Sequence, residues 1–143
     1  MKTVRDILEV KGLGVSTIDP DSSVREALSR MASKDIGALV VVERETVVGV
    51  ISERDYARKV IMKGKSSLDT TVRDIMVSDP RCVGPEDSIE TCMALMTDKH
   101  VRHLPVIETD SLIGIVSIGD VVKSVITEHE SKIEELESYI YGA

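Results

Sequence analysis

The sequence Gly-Val-Ile-Ser-Glu-Arg-Asp at residues 49–55 recurs as Gly-Ile-Val-Ser-Ile-Gly-Asp at residues 114–120. This recurrence belongs to a longer repeat, because residues 15–60 align with residues 80–125 without a gap. Most aligned positions that are not identical exchange one apolar residue for another, so the pattern of burial is duplicated too. Self-similarity over such a length fixes an architecture more firmly than local propensities do. The chain is therefore predicted to contain one structural unit twice.

The periodicity within each copy predicts the element order β-α-β-β-α. The helical spacing i, i+3, i+4, i+7 is found in both copies, at Val24, Ala27, Leu28 and Met31 and again at Ile89, Cys92, Met93 and Met96. Polar residues at 21–23 and 86–88 are suited to cap these helices. Short β-branched runs predict one hairpin from 38–42 with 46–51 and another from 104–107 with 112–116. A second helix is predicted at 53–61 and from about residue 119, and short strands at 17–18 and 82–83 precede the first helices.

The fold class that follows is α+β. A single unit would leave much of one sheet face uncovered, whereas two units packed about a pseudo-twofold axis cover both faces and form a cleft with two related sites. The predicted divisions are a first repeat at 1–66, a second at 67–126 and a helical extension at 127–143. The extension keeps roughly helical spacing at Val122, Val125, Ile126, His129, Ile133, Leu136 and Ile140. Packing on its own unit, a dimer contact and docking of a partner remain open for this helix.

Composition narrows the range of functions. The chain has 143 residues, of which 42% are hydrophobic and 30% charged, and no apolar run approaches the length of a membrane span. The first residues resemble neither a secretory leader nor a transit peptide, so a cytoplasmic location is expected. A net charge of -7, with no basic patch and no Phe or Trp, argues against a nucleic-acid partner.

The repeated Ser-x-x-Asp has two interpretations. Ser52 with Asp55, and Ser117 with Asp120, fit a capping box, in which hydroxyl and carboxylate satisfy free backbone N–H groups at a helix start. The same geometry suits a nucleotide, because a helix start favours phosphate and a carboxylate one turn in accepts the hydroxyls of a ribose. The glycines at 49 and 114 would allow close approach of a ligand or of neighbouring backbone.

This duplicated pattern, with His-Val-Arg-His-Leu-Pro-Val at residues 100–106 opening the second hairpin, resembles the CBS domain, named after cystathionine beta-synthase. The resemblance covers nearly the whole chain and is strongest to small stand-alone CBS-pair proteins of bacteria and plant organelles. It implies a regulatory module, often a homodimer, that binds adenosine-containing ligands between its repeats: AMP, ADP, ATP, S-adenosylmethionine or NAD(H). Intrinsic catalysis is not expected, and no cofactor is required.

Carried over position by position, the resemblance implies two nucleotide sites. The aspartates would hold ribose, the serines would lie near ribose or phosphate, and the short strands would flank adenine. The first site would comprise Thr17, Ile18, Gly37, Ala38, Leu39, Ser52, Arg54 and Asp55. The second site would comprise Cys82, Val83, Arg102, His103, Leu104, Ser117, Gly119 and Asp120.

The two copies differ in charge. Arg102 and His103, at the position of phosphate-binding residues in the family, align with Gly37 and Ala38, so the second site is expected to take a monophosphate. The first site instead has Arg54, where the second has a glycine. An ordinary surface ion pair of Arg102 with Glu108 or Asp98 remains open.

The remaining chemistry is limited. No nucleophile with a base and no metal-ligand spacing is present, so neither an enzyme nor a zinc site is expected. Cys82 and Cys92 fit reduced thiols, and Cys82 is interpreted as a small strand residue rather than a redox switch. The resemblance to plant organellar proteins implies a thioredoxin-like partner. The alternative to a nucleotide sensor is a scaffold in which Ser-x-x-Asp survives only as helix caps.

Overall fold

The computed structural model describes residues 2–141 of the chain. The first half contains α1 (Val4–Lys11), β1 (Thr17–Ile18), α2 (Val24–Lys34), β2 (Ala38–Glu43), β3 (Thr46–Ser52) and α3 (Glu53–Tyr56), which continues as a π-helical segment (Ala57–Ile61). The second half contains α4 (Val72–Ile75), β4 (Val77–Ser78), α5 (Ile89–Lys99), β5 (His103–Glu108), β6 (Ser111–Ser117) and α6 (Ile118–Tyr141). The α+β class and the duplicated hairpins are confirmed.

The two hairpins belong to two separate sheets. In the first sheet the order is β1-β2-β3-β4, with β1 parallel to β2 and the other pairs antiparallel. The second sheet consists of β5 and β6, and each hairpin carries a bulge at the same point of the repeat, after Val41 and after Val106. The predicted strand at 82–83 is reduced to a single bridge between Val83 and Val106, so this strand prediction was wrong in extent.

The capping residues predicted for the first helices are confirmed. Ser23 accepts a hydrogen bond from the backbone N–H of Glu26, and Ser88 accepts one from that of Thr91. Of the predicted apolar positions on these helices, Met93 does not lie in the core, because its side chain is 45% exposed. It faces a groove beside α6 instead.

The short helix before each repeat packs on the other repeat. The backbone N–H of Val4 donates to the carbonyl of Asp87 at 2.9 Å, and Val72 makes the equivalent bond to Ser22 at 2.9 Å. Val4, Ile7 and Leu8 accordingly belong to the core of the second unit. Val72 and Ile75 belong to the core of the first. The division of the sequence into repeats at residues 66 and 67 remains a prediction. Each hydrophobic core contains residues from both sides of that division.

We call α1 and α4 the crossed helices, because each packs on the other repeat, and an arginine on each forms salt bridges to that repeat. Arg5 contacts Glu86 at 2.7 Å and Glu108 at 2.9 Å, across the boundary between the repeats. Arg73 contacts Asp21 at 3.4 Å and Glu43 at 2.6 Å. The two triads occupy equivalent places, and Glu108 is therefore paired with Arg5 rather than with Arg102.

The glycines of the repeated motif permit this crossing. A Cβ at Gly49 would lie 2.5 Å from the sulfur of Met76 and 2.9 Å from the carbonyl oxygen of Val77. A Cβ at Gly114 would lie 2.8 Å from a methyl group of Leu8. Glycine was expected here to allow the approach of either a ligand or neighbouring backbone. The structure shows the close approach of another segment of the chain.

Candidate functional site

Both Ser-x-x-Asp motifs form hydrogen bonds at the start of a helix. In the first, Oδ2 of Asp55 accepts hydrogen bonds from the backbone N–H and the hydroxyl of Ser52, both at 2.9 Å. The Ser52 hydroxyl in turn accepts from the backbone N–H of Asp55 at 3.2 Å. In the second motif the backbone N–H of Ser117 donates to Oδ2 of Asp120 at 2.9 Å, and the backbone N–H of Asp120 donates to the Ser117 hydroxyl at 3.1 Å. The capping interpretation therefore holds in both copies, and it uses only one carboxylate oxygen of each aspartate.

A cleft of about 560 Å³ lies against Asp55, and we call it the first cleft. Its volume is within the range of small-molecule sites, about 300–1,000 Å³. It is lined by Gly37, Val50, Ser52, Arg54, Asp55, Arg58, Lys59, Val77, Pro80, Arg81, Lys99, His100, Val101, Arg102 and His103. The cleft therefore lies between the repeats, with the ribose-type aspartate from the first repeat and the arginine–histidine pair from the second.

The first cleft is strongly cationic. Six Lys or Arg side chains line it against one carboxylate, although the whole chain carries a net charge of -7. Lys59 lies 3.5 Å from Oδ1 of Asp55. Within residues 2–141 the other five cations, Arg54, Arg58, Arg81, Lys99 and Arg102, form no salt bridge. Such a group of unneutralised cations favours an anionic ligand.

A second cleft of about 500 Å³ occupies the related position. It is lined by Lys11, Gly14, Val15, Ser16, Lys34, Ile36, Gly37, Ala38, His103, Ile115 and Ser117. Lys11 Nζ donates to Oδ2 of Asp120 and to the carbonyl of Ile115, both at 2.7 Å. Asp120 lies on the far side of this lysine, in a groove between α1 and α6. The second carboxylate is therefore already engaged by a cation of the same chain.

Each cleft combines residues that the sequence analysis had assigned to different sites. Arg102 and His103 lie with Asp55 in the first cleft, whereas Gly37 and Ala38 lie with Ser117 in the second. His103 and Gly37 border both clefts, and Arg54 borders the first as expected. Gly119 is exposed at the start of α6.

The short strands expected to flank adenine are used within the fold. Val83 is 3% exposed, and its backbone N–H and carbonyl are both hydrogen-bonded to β5. Ile18, Leu39 and Leu104 are core residues, and the carbonyl of Thr17 accepts a bond from Arg30. Residues a few positions earlier line the clefts instead: 14–16 in the second, and Val77, Pro80 and Arg81 in the first.

Sequence reasoning missed several cleft residues. Arg58 and Lys59 follow the first Ser-x-x-Asp by one helical turn, and this spacing was the available signal for them. Arg81 and Lys99 reach the cleft only through the packing of the repeats. Lys11 reaches Asp120 only because α1 packs on the other repeat.

The pKa values of His103 and Asp120 are shifted. Burial lowers the pKa of His103 below 6.5, and the positive charge of Lys11 lowers it further. The pKa of Asp120 is lowered although burial alone would raise it, because hydrogen bonds from Lys11 and Ser117 and the charge of Lys11 favour the carboxylate. Folding therefore favours the neutral form of His103, which borders both clefts.

The pKa values of both thiols are raised, which disfavours the reactive thiolate form. Burial raises the pKa of the Cys92 thiol to about 11, and burial with the charge of Asp79 raises that of Cys82. Cys82 lies on the surface and is in no strand. Over residues 2–141 no group of three His, Cys, Asp or Glu side chains is arranged to hold a metal.

Comparison with known proteins identifies the family. The family model for the CBS domain matches residues 4–61 and 72–127. The chain belongs to the CBS-domain family. The mitochondrial CBS domain-containing protein CBSX3 of Arabidopsis thaliana is 41% identical over 149 residues, covering 98% of this chain and 72% of that protein. The resemblance to stand-alone CBS-pair proteins is confirmed.

Solved CBS structures share the fold. A CBS-domain containing protein from Agrobacterium tumefaciens is 37% identical, with a TM-score of 0.81 over 86% of this chain and 98% of that one. CBSX2, solved in complex with AMP, is 25% identical, with a TM-score of 0.73 over 89% of this chain and 98% of that one. None of the helices within residues 2–141 has the length and apolar character needed to cross a membrane.

Proposed function

We propose that the chain is a regulatory module that binds an adenosine nucleotide in the first cleft and has no catalytic activity of its own. The observation that carries the proposal is the meeting of Asp55 with Arg102 and four further unpaired cations in one cleft between the repeats. A CBS-pair protein of the same fold, CBSX2, binds AMP. The first cleft offers complementary groups for both ends of such a ligand.

The ribose is assigned to Asp55. Its Oδ2 is used by Ser52, while Oδ1 lies 3.5 Å from Nζ of Lys59 and accepts no hydrogen bond within residues 2–141. A fixed carboxylate with one oxygen available accepts hydrogen bonds from a ribose diol. Because the capping bonds hold the side chain in place, little conformational entropy is lost when the ligand binds.

The phosphate is assigned to the arginines. Arg102 comes from the loop before β5 and Arg54 from α3, so the two guanidinium groups approach from different repeats. Bidentate hydrogen bonds from guanidinium to phosphate are among the stronger interactions available to a protein. A ligand held at both positions joins the two repeats, and its binding would bias their packing and hence a partner.

The first cleft replaces the second as the site for a monophosphate. The expectation rested on assigning Arg102 and His103 to the same site as Asp120. In the structure Asp120 is paired with Lys11, and the second cleft lacks the arginines. One nucleotide per chain is therefore proposed.

The test is a binding panel of AMP, ADP, ATP, NAD(H) and S-adenosylmethionine, measured by thermal shift and calorimetry. An adenine nucleotide should stabilise the folded chain with a stoichiometry of one. Arg102→Gln should lower its affinity about tenfold, because a charge-assisted hydrogen bond is lost. Arg25→Gln, which removes the same charge from exposed α2 outside both clefts, is the matched control.

One alternative has support in the structure. Both capping boxes are complete without a ligand, as expected of a scaffold in which Ser-x-x-Asp serves only the helix starts. Folded protein that no member of the panel stabilises would favour this scaffold. The thioredoxin-like partner and the cytoplasmic location remain predictions.

A further inference from the structure

The last helix carries a second apolar face that nothing within residues 2–141 covers. The apolar residues of this face are strongly exposed: Val122 51%, Ile126 53%, Ile133 55%, Leu136 56% and Ile140 71%. The inner face of the same helix, with Val121 and Val125, packs on the second core. From Thr127 onward every residue with a described side chain is exposed, and a helix of this length gains little stability in water without a packed face.

The exposed face follows a heptad repeat. Val122, Ile126, His129, Ile133, Leu136 and Ile140 are spaced alternately by four and three residues. This spacing places isoleucine at all three a positions (126, 133 and 140) and Val, His and Leu at the d positions. In parallel coiled coils, β-branched residues at a with leucine at d favour two strands, and this chain has isoleucine at every a position and leucine at the d position 136. We call these six residues the α6 seam.

We propose that the α6 seam forms a parallel, two-stranded coiled coil with the same helix of a second copy of this chain. The seam rises about 27 Å at 1.5 Å per residue, so it extends the contact well beyond the two folded units. At its start it meets an apolar groove that includes Met93 and Ile118, which are 45% and 44% exposed. The groove gives the first turns of the partner helix an apolar surface to pack on.

Charge complementarity supports a second copy in the parallel orientation. In a parallel pair a g residue faces the e residue of the partner's next heptad, which sets Lys132 against Glu137. Twofold symmetry makes this attractive pair twice. In an antiparallel pair e faces e, and the e positions between 126 and 141 are Glu130 and Glu137, so like charges would meet.

His129 is the one polar residue of the seam. At a central d position it faces its own copy in the partner helix, where a polar group costs stability but fixes register. His129→Leu should therefore tighten the dimer. This direction is specific to a buried seam position, since a substitution on an exposed helix face would leave association unchanged.

The experiment is sedimentation equilibrium of the full chain without nucleotide, with helicity checked by circular dichroism. The wild type should be a dimer, and Ile133→Asp should weaken association at least about tenfold, because it buries a charge in the seam. Ser131→Asp, on the outer face at an f position, is the matched control and should dimerise as the wild type does. Lys132→Glu and Glu137→Lys should each weaken association, and their combination should restore it.

Orientation is tested by oxidation of Leu136→Cys in a Cys82→Ser background. A parallel pair brings residue 136 against its counterpart, so a disulfide-linked dimer should form, while Ser131→Cys should not cross-link. A monomeric wild type, a dimer equally insensitive to Ile133→Asp and Ser131→Asp, or the absence of cross-linking at 136 would overturn the proposal. Each of these results is independent of nucleotide binding.

Discussion

Single residues distinguish the two related clefts. Asp55 and Asp120 stand in equivalent motifs, but Asp120 is held by Lys11 at 2.7 Å while Asp55 has Lys59 at 3.5 Å from its other oxygen. Lys11 lies at the end of α1, where the first copy has its longer loop. The two copies therefore differ in the lysine that pairs with Asp120 as well as in the positions of their arginines.

Removing Lys11 should raise the pKa of Asp120, because its hydrogen bond and its charge favour the carboxylate. In Lys11→Met an NMR titration of the Asp120 carboxyl should show this rise, while calorimetry should still show one nucleotide per chain, because the second cleft lacks the arginines and Asp120 does not line it. The loss of stability should be small, about 0–1 kcal/mol, because the ion pair is partly exposed. Lys2→Met, which removes a charge from the same α1–α6 groove, is the control and should leave the pKa of Asp120 as it is in the wild type.

His103 should make stability depend on pH. Its pKa is lower in the folded chain than in the unfolded chain, so the unfolded state takes up the proton first as the pH falls. Its contribution to the free energy of unfolding should thus be constant above about pH 6.5 and decrease as the pH falls from there to the folded pKa. Urea unfolding between about pH 7.5 and 5.5 should show a smaller decrease for His103→Gln than for the wild type. A slope that His103→Gln leaves unchanged would show that other groups produce the decrease.

At the scale of elements, the crossed helices α1 and α4 connect the repeats. Each completes the core of the other repeat and is fastened by an arginine and two carboxylates. The glycines on β3 and β6 leave room for this contact. The stability of one sheet should therefore respond to substitutions in the other repeat.

Leu8→Ala tests this coupling. Leu8 is 3% exposed and belongs to the second core, so its truncation should cost about 2–5 kcal/mol. Hydrogen exchange should lose more protection in β5 and β6 than in β2 and β3, although residue 8 precedes the first repeat's own strands. Ile75→Ala should show the opposite pattern, and a greater loss in β2 and β3 than in β5 and β6 for Leu8→Ala would contradict the packing of α1 on the second core.

Gly49→Ala tests the close approach at the sheet. Its Cβ would meet the carbonyl oxygen of Val77 at 2.9 Å, and backbone can move away less easily than a side chain. The variant should be destabilised by about 1–3 kcal/mol in urea unfolding. Gly84→Ala, where the nearest atoms lie 3.8 Å away, should change stability much less.

At the scale of the whole molecule, the sequence predicted those features that depend on local residues and occur in both copies. The hairpins follow from β-branched runs and the caps from Ser23 and Ser88. The grouping of the clefts was not predictable in this way, because an alignment pairs Arg102 with Gly37 but does not say which repeat's aspartate each will face. That depends on packing between the copies. The π-helical segment at Ala57–Ile61 also had no signal in the apolar spacing.

The shared cores predict a single unfolding transition. Because each repeat completes its core with a helix from the other, neither should unfold alone, and the calorimetric and van't Hoff enthalpies should agree. The measurement is calorimetry at one fixed protein concentration, since association also shifts the midpoint. Two resolved transitions would show that the repeats unfold independently.

The crossing of α1 also determines when the chain can fold during synthesis. Val4, Ile7 and Leu8 share a core with residues that begin at Val83, so this helix leaves the ribosome long before its binding surface exists. That core extends to Val121, 117 residues after Val4, so at about 5–20 residues per second the delay is on the order of 6–23 seconds. Throughout that interval a nascent amphipathic helix has no native surface to bury its apolar side. Synthesis therefore has to reach Val121 before α1 can pack in its native position.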